Sequence, residues 1–240
     1  MGMPGAMSPN PPLLRDADDA AQARHVAAAI AHILERALNE RARASLVLSG
    51  GSTPLAMYAV LAQHALDWAR VDVTLADERW VAIDDPDSNE GHVRAALLRS
   101  HGAKAHFIGL KNDAPDPAAG AASAWAALST MPRPFDAVLL GMGDDGHTAS
   151  LFPGSAEASG ALDPEARPRC VAAIAGAPAH ARLTLNLSAL LQSRQILIQI
   201  AGESKWKAYE KASRAGAIGE MPVRAILRQQ QVPVRVFWCP

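Results

Sequence analysis

The sequence predicts an α/β fold: a single domain built on a mostly parallel sheet, with helices on both faces. Three observations carry this expectation. Short apolar segments alternate with helix-length amphipathic segments through most of the 240 residues. Several of the short segments are apolar throughout, as strands buried on both faces are. Polar clusters follow the predicted strands at Ser49–Thr53, Asp77–Arg79, Asp144–His147 and Gly202–Lys205. Ligands of open α/β sheets bind beyond the carboxyl ends of the strands, so these clusters point to one site.

The elements follow in order. Residues 1–12, rich in Pro, Gly and Met, read as a flexible tail, and 13–240 as the domain. The tail has no basic region before a long apolar core, so it is not a signal peptide. Ala6 stands where a myristoylation signal needs Ser or Thr. Residues 17–40 form an amphipathic helix, with Val26, Ile30, Ile33, Leu34 and Leu38 at helical spacing. Ser45–Leu48 is a strand. Pro54 suits a first helical position, with Ser52 or Thr53 as the cap of a helix over Leu55–Leu66. Val71–Ala76 is the next strand. A polar loop over Asp84–Ser88 precedes a helix near Asn89–Leu98. A strand over His106–Leu110 and a helix over Pro117–Leu128 come next, then the strand at Ala137–Leu140. Ser155–Pro168 reads as loop. Cys170–Ala175, Arg182–Leu187 and Gln195–Ala201 are strands, Glu203–Arg214 and Val223–Arg228 helices, and Val234–Trp238 a closing strand.

Composition excludes several classes. The formal net charge of −1 leaves no basic face, so no nucleic-acid partner is expected. The two cysteines, Cys170 and Cys239, lie far apart and outside any Cys/His cluster, which excludes a disulfide framework and argues against zinc. No apolar run reaches the length of a membrane span. The chain is expected to be cytoplasmic, without a membrane partner, and a monomer or weak homodimer.

The stretch Phe135-Asp-Ala-Val-Leu-Leu-Gly-Met-Gly-Asp-Asp-Gly-His-Thr-Ala-Ser-Leu-Phe-Pro-Gly154 is the most informative in the chain. Gly141, Gly143 and Gly146 allow tight turns and close approach to a ligand. Among them stand Asp144, Asp145 and His147, groups able to move protons near neutral pH. The spacing Gly141-x-Gly143-x-x-Gly146 imitates a dinucleotide fingerprint. That motif needs a long following helix, and Pro153 and Gly154 break the chain too soon. Of the eight histidines, His147 alone sits beside an acid in a glycine-rich loop at a strand end.

The other clusters supply charge. Ser49-Gly50-Gly51-Ser52-Thr53 opens onto a helix start, a setting that favours an anion such as phosphate. Arg79 carries a fork of donors suited to phosphate, and Asp77 can orient a hydroxyl, a water or a proton. Lys205 can place a cation over the same site, and Arg182, at the start of a strand, can face the same cleft. The five tryptophans are scattered and read mostly as packing.

With these residues assembled, the chain resembles the 6-phosphogluconolactonase family, related to glucosamine-6-phosphate isomerase/deaminase. The matching stretches are Leu48-Ser-Gly-Gly-Ser-Thr-Pro54, Ala76-Asp-Glu-Arg-Trp-Val81, Ser88-Asn-Glu90, Leu140 through Pro153, Arg182-Leu-Thr-Leu-Asn186 and Gly202-Glu-Ser-Lys205. The resemblance implies hydrolysis of a sugar-phosphate lactone on a Rossmann-like sheet, with no metal or organic cofactor. It implies that His147, oriented by Asp145, is the general base, that amides near Gly143 and Gly146 stabilise the oxyanion, and that Arg79, Lys205 and the Ser49–Thr53 loop hold the phosphate. A second arrangement stays open, in which His147 contacts phosphate and Asp77 handles the water. Two other functions on this scaffold are an amino-sugar-phosphate deaminase and a non-catalytic sugar-phosphate sensor. The deaminases carry an Asn-Glu pair after the histidine loop and an aromatic residue in place of Arg79. Here Ser150-Leu-Phe-Pro153 has no such pair.

Overall fold

A computed structural model describes residues 11–155, 160–175 and 180–240 of the chain. The expected tail, apart from residues 11–12, lies outside the described residues. The strands are β1 (Leu13–Arg15), β2 (Ala44–Leu48), β3 (Val71–Leu75), β4 (Asp77–Arg79), β5 (His106–Phe107), β6 (Ala137–Leu140), β7 (Cys170–Ala175), β8 (His180–Leu185), β9 (Ile196–Ala201) and β10 (Val234–Cys239). The helices are α1 (Asp19–Glu40), α2 (Leu55–Leu61), α3 (Asn89–Ala96), α4 (Pro117–Leu128), α5 (Leu187–Leu191), α6 (Gly202–Ser213) and α7 (Val223–Arg228).

Seven strands form one sheet in the order β1-β10-β9-β6-β2-β3-β5, and every neighbouring pair is parallel. All residues of β2, β3 and β6 are buried; β6 is apolar throughout and β2 carries one polar residue, Ser45, whereas β3 sets Asp72 and Thr74 between Val71, Val73 and Leu75. The chain crosses the sheet in one direction through β1, β2, β3 and β5. It then returns in the other through β6, β9 and β10. Right-handed crossovers running in opposite directions place their helices on opposite faces. On one face α1 packs on α2; on the other, α6 packs along β9 and β10. The direction reverses between the adjacent strands β2 and β6. That is the switch point where doubly wound sheets open a crevice. Helix α1 faces the core with Val26, Ile30 and Leu34, all fully buried, and Asp18 caps it by accepting from the Ala21 amide.

Several expectations are corrected. The segments expected as strands at Cys170–Ala175 and Arg182–Leu187 do not join the parallel sheet. They form β7 and β8 of a separate antiparallel sheet of order β4-β8-β7. The Asp77–Arg79 segment is therefore a strand, with only Ala76 between it and β3. Strand β8 stops at Leu185 because Asn186 caps α5, its side chain accepting from the Ala189 amide. Helix α2 ends at Leu61 rather than Leu66: Gln63 and His64 donate to the i−3 carbonyls of Val60 and Leu61, tightening the last turn. Strand β5 is two residues long, and Ile108 adds one further bond to the Val73 carbonyl. Neither Ser52 nor Thr53 caps α2, whose N-cap position is Pro54 with no side-chain cap bond.

Candidate active site

A cavity of about 250 Å³ opens at the switch point between β2 and β6. Its wall includes Ser49, Gly50, Gly51, Ser52 and Thr53 after β2, and Gly143 and His147 after β6. Asp77, Arg79 and Arg182 from the small sheet and Lys205 from α6 add its charged groups, and Asn89 and Gln199 two amides. Thus eleven of the thirteen residues expected at the site share one cavity; the remaining two, Asp145 and Gly146, belong to the same loop as His147 but not to the lining.

The loop after β6 is built to hold an imidazole. His147 Nδ1 lies 2.7 Å from Asp145 Oδ1, and the His147 amide donates to the same oxygen at 3.0 Å. Burial raises the Asp145 carboxyl, but the bonds and charge of His147 outweigh it and hold the group below the usual carboxylate range. Gly143 is required by close approach: a Cβ there would stand 2.1 Å from His147 Nδ1. Gly146 has φ +83° and packs on Met221. Its carbonyl accepts from the Val223 amide, tying the loop to the start of α7. Of the loop amides near Gly143–Gly146 expected to stabilise an oxyanion, those of Gly143 and Gly146 themselves are turned elsewhere. The Gly143 amide donates to the His147 carbonyl and the Gly146 amide to the Gly143 carbonyl, so both are engaged inside the loop. The Phe152 ring lies 4.7 Å from the His147 ring and 5.5 Å from the Arg182 guanidinium, between the imidazole and the cation.

The small sheet presents the charges. In its register Arg79 stands directly opposite Arg182, and Asp77 opposite Thr184. Two like charges across an antiparallel pair repel. Burial first, and Arg79 second, hold the Arg182 guanidinium below its usual range. The Nε atoms of both arginines are buried without a partner. Arg79 also donates to the Asp87 carbonyl at 2.6 Å. Asp77 is buried, accepts from the Ser150 hydroxyl at 2.6 Å and lies 3.9 Å from Arg182. Across the cavity, Lys205 pairs with Asp144 at 3.3 Å, and Ser204 donates to the same carboxylate oxygen at 2.9 Å. The Ser204 bond first, then Lys205, hold the Asp144 carboxyl low.

Four residues near the cavity escape a reading of single side chains. Glu78 is 1% exposed and accepts from the amides of Arg79, Asn89 and Glu90 at 2.7, 2.8 and 2.7 Å. It thereby joins β4 to the start of α3. Burial pushes its carboxyl up to about 7 against those bonds. Asn89 lies on Gly50 so closely that any Cβ there would collide with it. Gln199 and Gln22 form a buried amide pair at the end of β9. The Ser88-Asn-Glu90 stretch carries the signal for Asn89. For Gln199 the only signal is one polar residue inside an apolar strand. Among the described residues, no grouping of His, Cys, Asp or Glu could hold a metal ion, and no helix is long and apolar enough to cross a membrane.

A doubly wound sheet with cations and an acid-paired imidazole at its switch point defines an enzyme acting on a small anionic molecule. The chain belongs to the glucosamine-6-phosphate isomerase/6-phosphogluconolactonase family, whose model matches residues 17–238. It is 44% identical over 221 residues to a 6-phosphogluconolactonase of Pseudomonas aeruginosa, covering 92% of each chain. It is 39% identical to one of Rhizobium meliloti, covering 86% of this chain and 89% of the other. A crystal structure of a 6-phosphogluconolactonase from Shewanella baltica superposes with TM-score 0.93 at 44% identity, covering 98% of this chain and all of that one. A monomeric glucosamine-6-phosphate deaminase shares the fold, with TM-score 0.77 at 19% identity.

Proposed function

We propose that the chain hydrolyses 6-phosphoglucono-1,5-lactone to 6-phosphogluconate, the second step of the pentose phosphate pathway. The observation that carries this reading is the meeting of an Asp145–His147 pair with Arg79, Arg182 and Lys205 in one cavity. Curated relatives covering most of the chain bear the same activity in their names.

In this reading the ionised Asp145 holds the Nδ1–H tautomer of His147, which leaves Nε2 as the acceptor. His147 takes a proton from a water as that water attacks C1 of the lactone. The C1–ring oxygen bond then breaks, the proton passes from imidazolium to the ring oxygen, and the new carboxylic acid ionises to release one proton. Arg79 and Arg182 hold the 6-phosphate between them, which removes their mutual repulsion. Lys205 exchanges Asp144 for the phosphate, since a surface ion pair of this kind is worth only about 0–1 kcal/mol. Asp77, held by Ser150, orients substrate or water. The chain is read as a cytoplasmic enzyme that needs no metal or organic cofactor and works as a monomer or weak homodimer.

The test separates the two chemistries of the family. Enzyme-dependent proton release from fresh 6-phosphogluconolactone, corrected for spontaneous hydrolysis and unaffected by chelators or nucleotides, is the expected result. No ammonia is expected from glucosamine 6-phosphate. Ammonia release without lactone hydrolysis would replace this reading with the deaminase.

A further inference from the structure

Two amide side chains, Gln199 and Asn89, line the cavity wall; a main-chain carbonyl orients Asn89 directly and Gln199 through Gln22. Gln22, on α1, is 1% exposed and donates through Nε2 to the Ile200 carbonyl at 2.8 Å. A carbonyl can only accept, so the Gln22 amide has one orientation, with Oε1 turned to Gln199. Gln199 must then present its own Nε2, which donates to Gln22 Oε1 at 2.9 Å. The Gln199 Oε1 is left as a buried acceptor without a partner, on a side chain 4% exposed. Asn89 repeats the arrangement. Its Nδ2 donates to the Asp77 carbonyl at 2.8 Å, and its Oδ1 is buried and unpartnered. Both side chains belong to the wall of the same cavity as Arg79, Arg182 and Lys205. The cavity thus sorts its groups: cations on one set of elements, fixed acceptors on another.

We propose that Gln199 reads a hydroxyl of the substrate's polyol, with Gln22 as the positioning residue that forbids the flipped amide. An unpartnered buried acceptor favours a ligand that can donate to it over one that cannot, and a flipped amide would offer a donor instead. A phosphorylated polyhydroxy lactone or acid brings both an anion for the cations and hydroxyl donors for the amides. A simple phosphate brings only the first. This assignment rests on the proposed function and names what that function selects for besides charge.

The test is isothermal titration of 6-phosphogluconate and of inorganic phosphate against wild type, Gln199→Leu and Gln22→Met. Gln199→Leu is expected to weaken 6-phosphogluconate about tenfold, the cost of leaving one ligand hydroxyl unpaired. It is expected to leave phosphate within about twofold. Gln22→Met, which keeps Gln199 but releases its amide, is expected to weaken 6-phosphogluconate by a few-fold, with phosphate again unchanged. It carries the test by itself if Gln199→Leu fails to fold. Equal weakening of both ligands, or no change in either, would overturn the assignment. A wild-type protein that does not bind 6-phosphogluconate would instead remove the functional reading beneath it.

Discussion

Replacing Gly143 with alanine tests the geometry of the loop after β6, proposed to carry the base, with a single carbon atom. A Cβ at Gly143 would stand 2.1 Å from His147 Nδ1, 2.3 Å from Cε1 and 2.5 Å from Asp145 Oδ1. Ordinary contact starts at 3.4 Å, so the imidazole must retreat by 3.4 − 2.1, about 1.3 Å, and its bond to Asp145 breaks. Gly143 is not among the positive-φ glycines, so alanine adds no backbone strain and the effect isolates the ring position. A 1 Å misplacement at a reacting group can cost about 10²-fold. Loss of the oriented base adds to this within the roughly 10²–10⁴-fold range of general base catalysis. Gly143→Ala is therefore expected to lower kcat by about 10²–10³-fold while KM stays within a few-fold, because the cations proposed to hold the phosphate sit on other elements. Steady-state rates by proton release, with a urea melt to confirm the fold, measure both. A kcat within threefold of wild type would refute the claim that His147 must sit where it does.

Three further outcomes follow from the same geometry. Gly146→Ala meets both a left-handed φ of +83° and Met221 at 2.7 Å, so it should lower stability by about 1–2 kcal/mol, read as a shifted urea midpoint. Arg79→Ala should weaken 6-phosphogluconate strongly and leave residual activity on the unphosphorylated lactone nearly unchanged; equal losses on both would make Arg79 a support of the fold. Glu78 sets a pH dependence of stability. Its folded value is pushed up from 4.5 to about 7, so the stability it contributes is complete below about 4.5 and is lost as pH rises through about 7. At about 1.4 kcal/mol per unit that is on the order of 3 kcal/mol, and Glu78→Gln should flatten the wild-type slope between pH 4.5 and 8 in urea titrations.

The parts of the fold that were legible in the sequence are those whose burial is complete. Strand β6, and β2 apart from Ser45, are apolar because both faces are covered, and α1 shows its stripe because one face is; β3, just as buried, still carries Asp72 and Thr74, which are paired with Arg43 and the Ile108 carbonyl. The site was legible because its clusters fall at strand ends, where an α/β sheet binds ligands. What stayed hidden depends on long-range pairing. Nothing local in Cys170–Ala175 or Arg182–Leu185 says that these strands leave the main sheet to pair with Asp77–Arg79. Yet that pairing is what sets Arg79 opposite Arg182. The Gly143 and Gly146 amides read as free donors until their partners in the loop are seen. Gln199 reads as one polar residue in an apolar strand, and only its bond to Gln22, 177 residues away, gives it a direction.

In the proposed reaction His147, held by Asp145, moves the proton in lactone hydrolysis. The most direct measurement is proton release from freshly prepared 6-phosphogluconolactone by wild type and His147→Asn, with kcat and KM resolved separately. His147→Asn is expected to lower kcat by about 10²–10⁴-fold with KM nearly unchanged. A near-normal kcat with a much raised KM would contradict it, moving His147 to the phosphate and leaving Asp77 to handle the water.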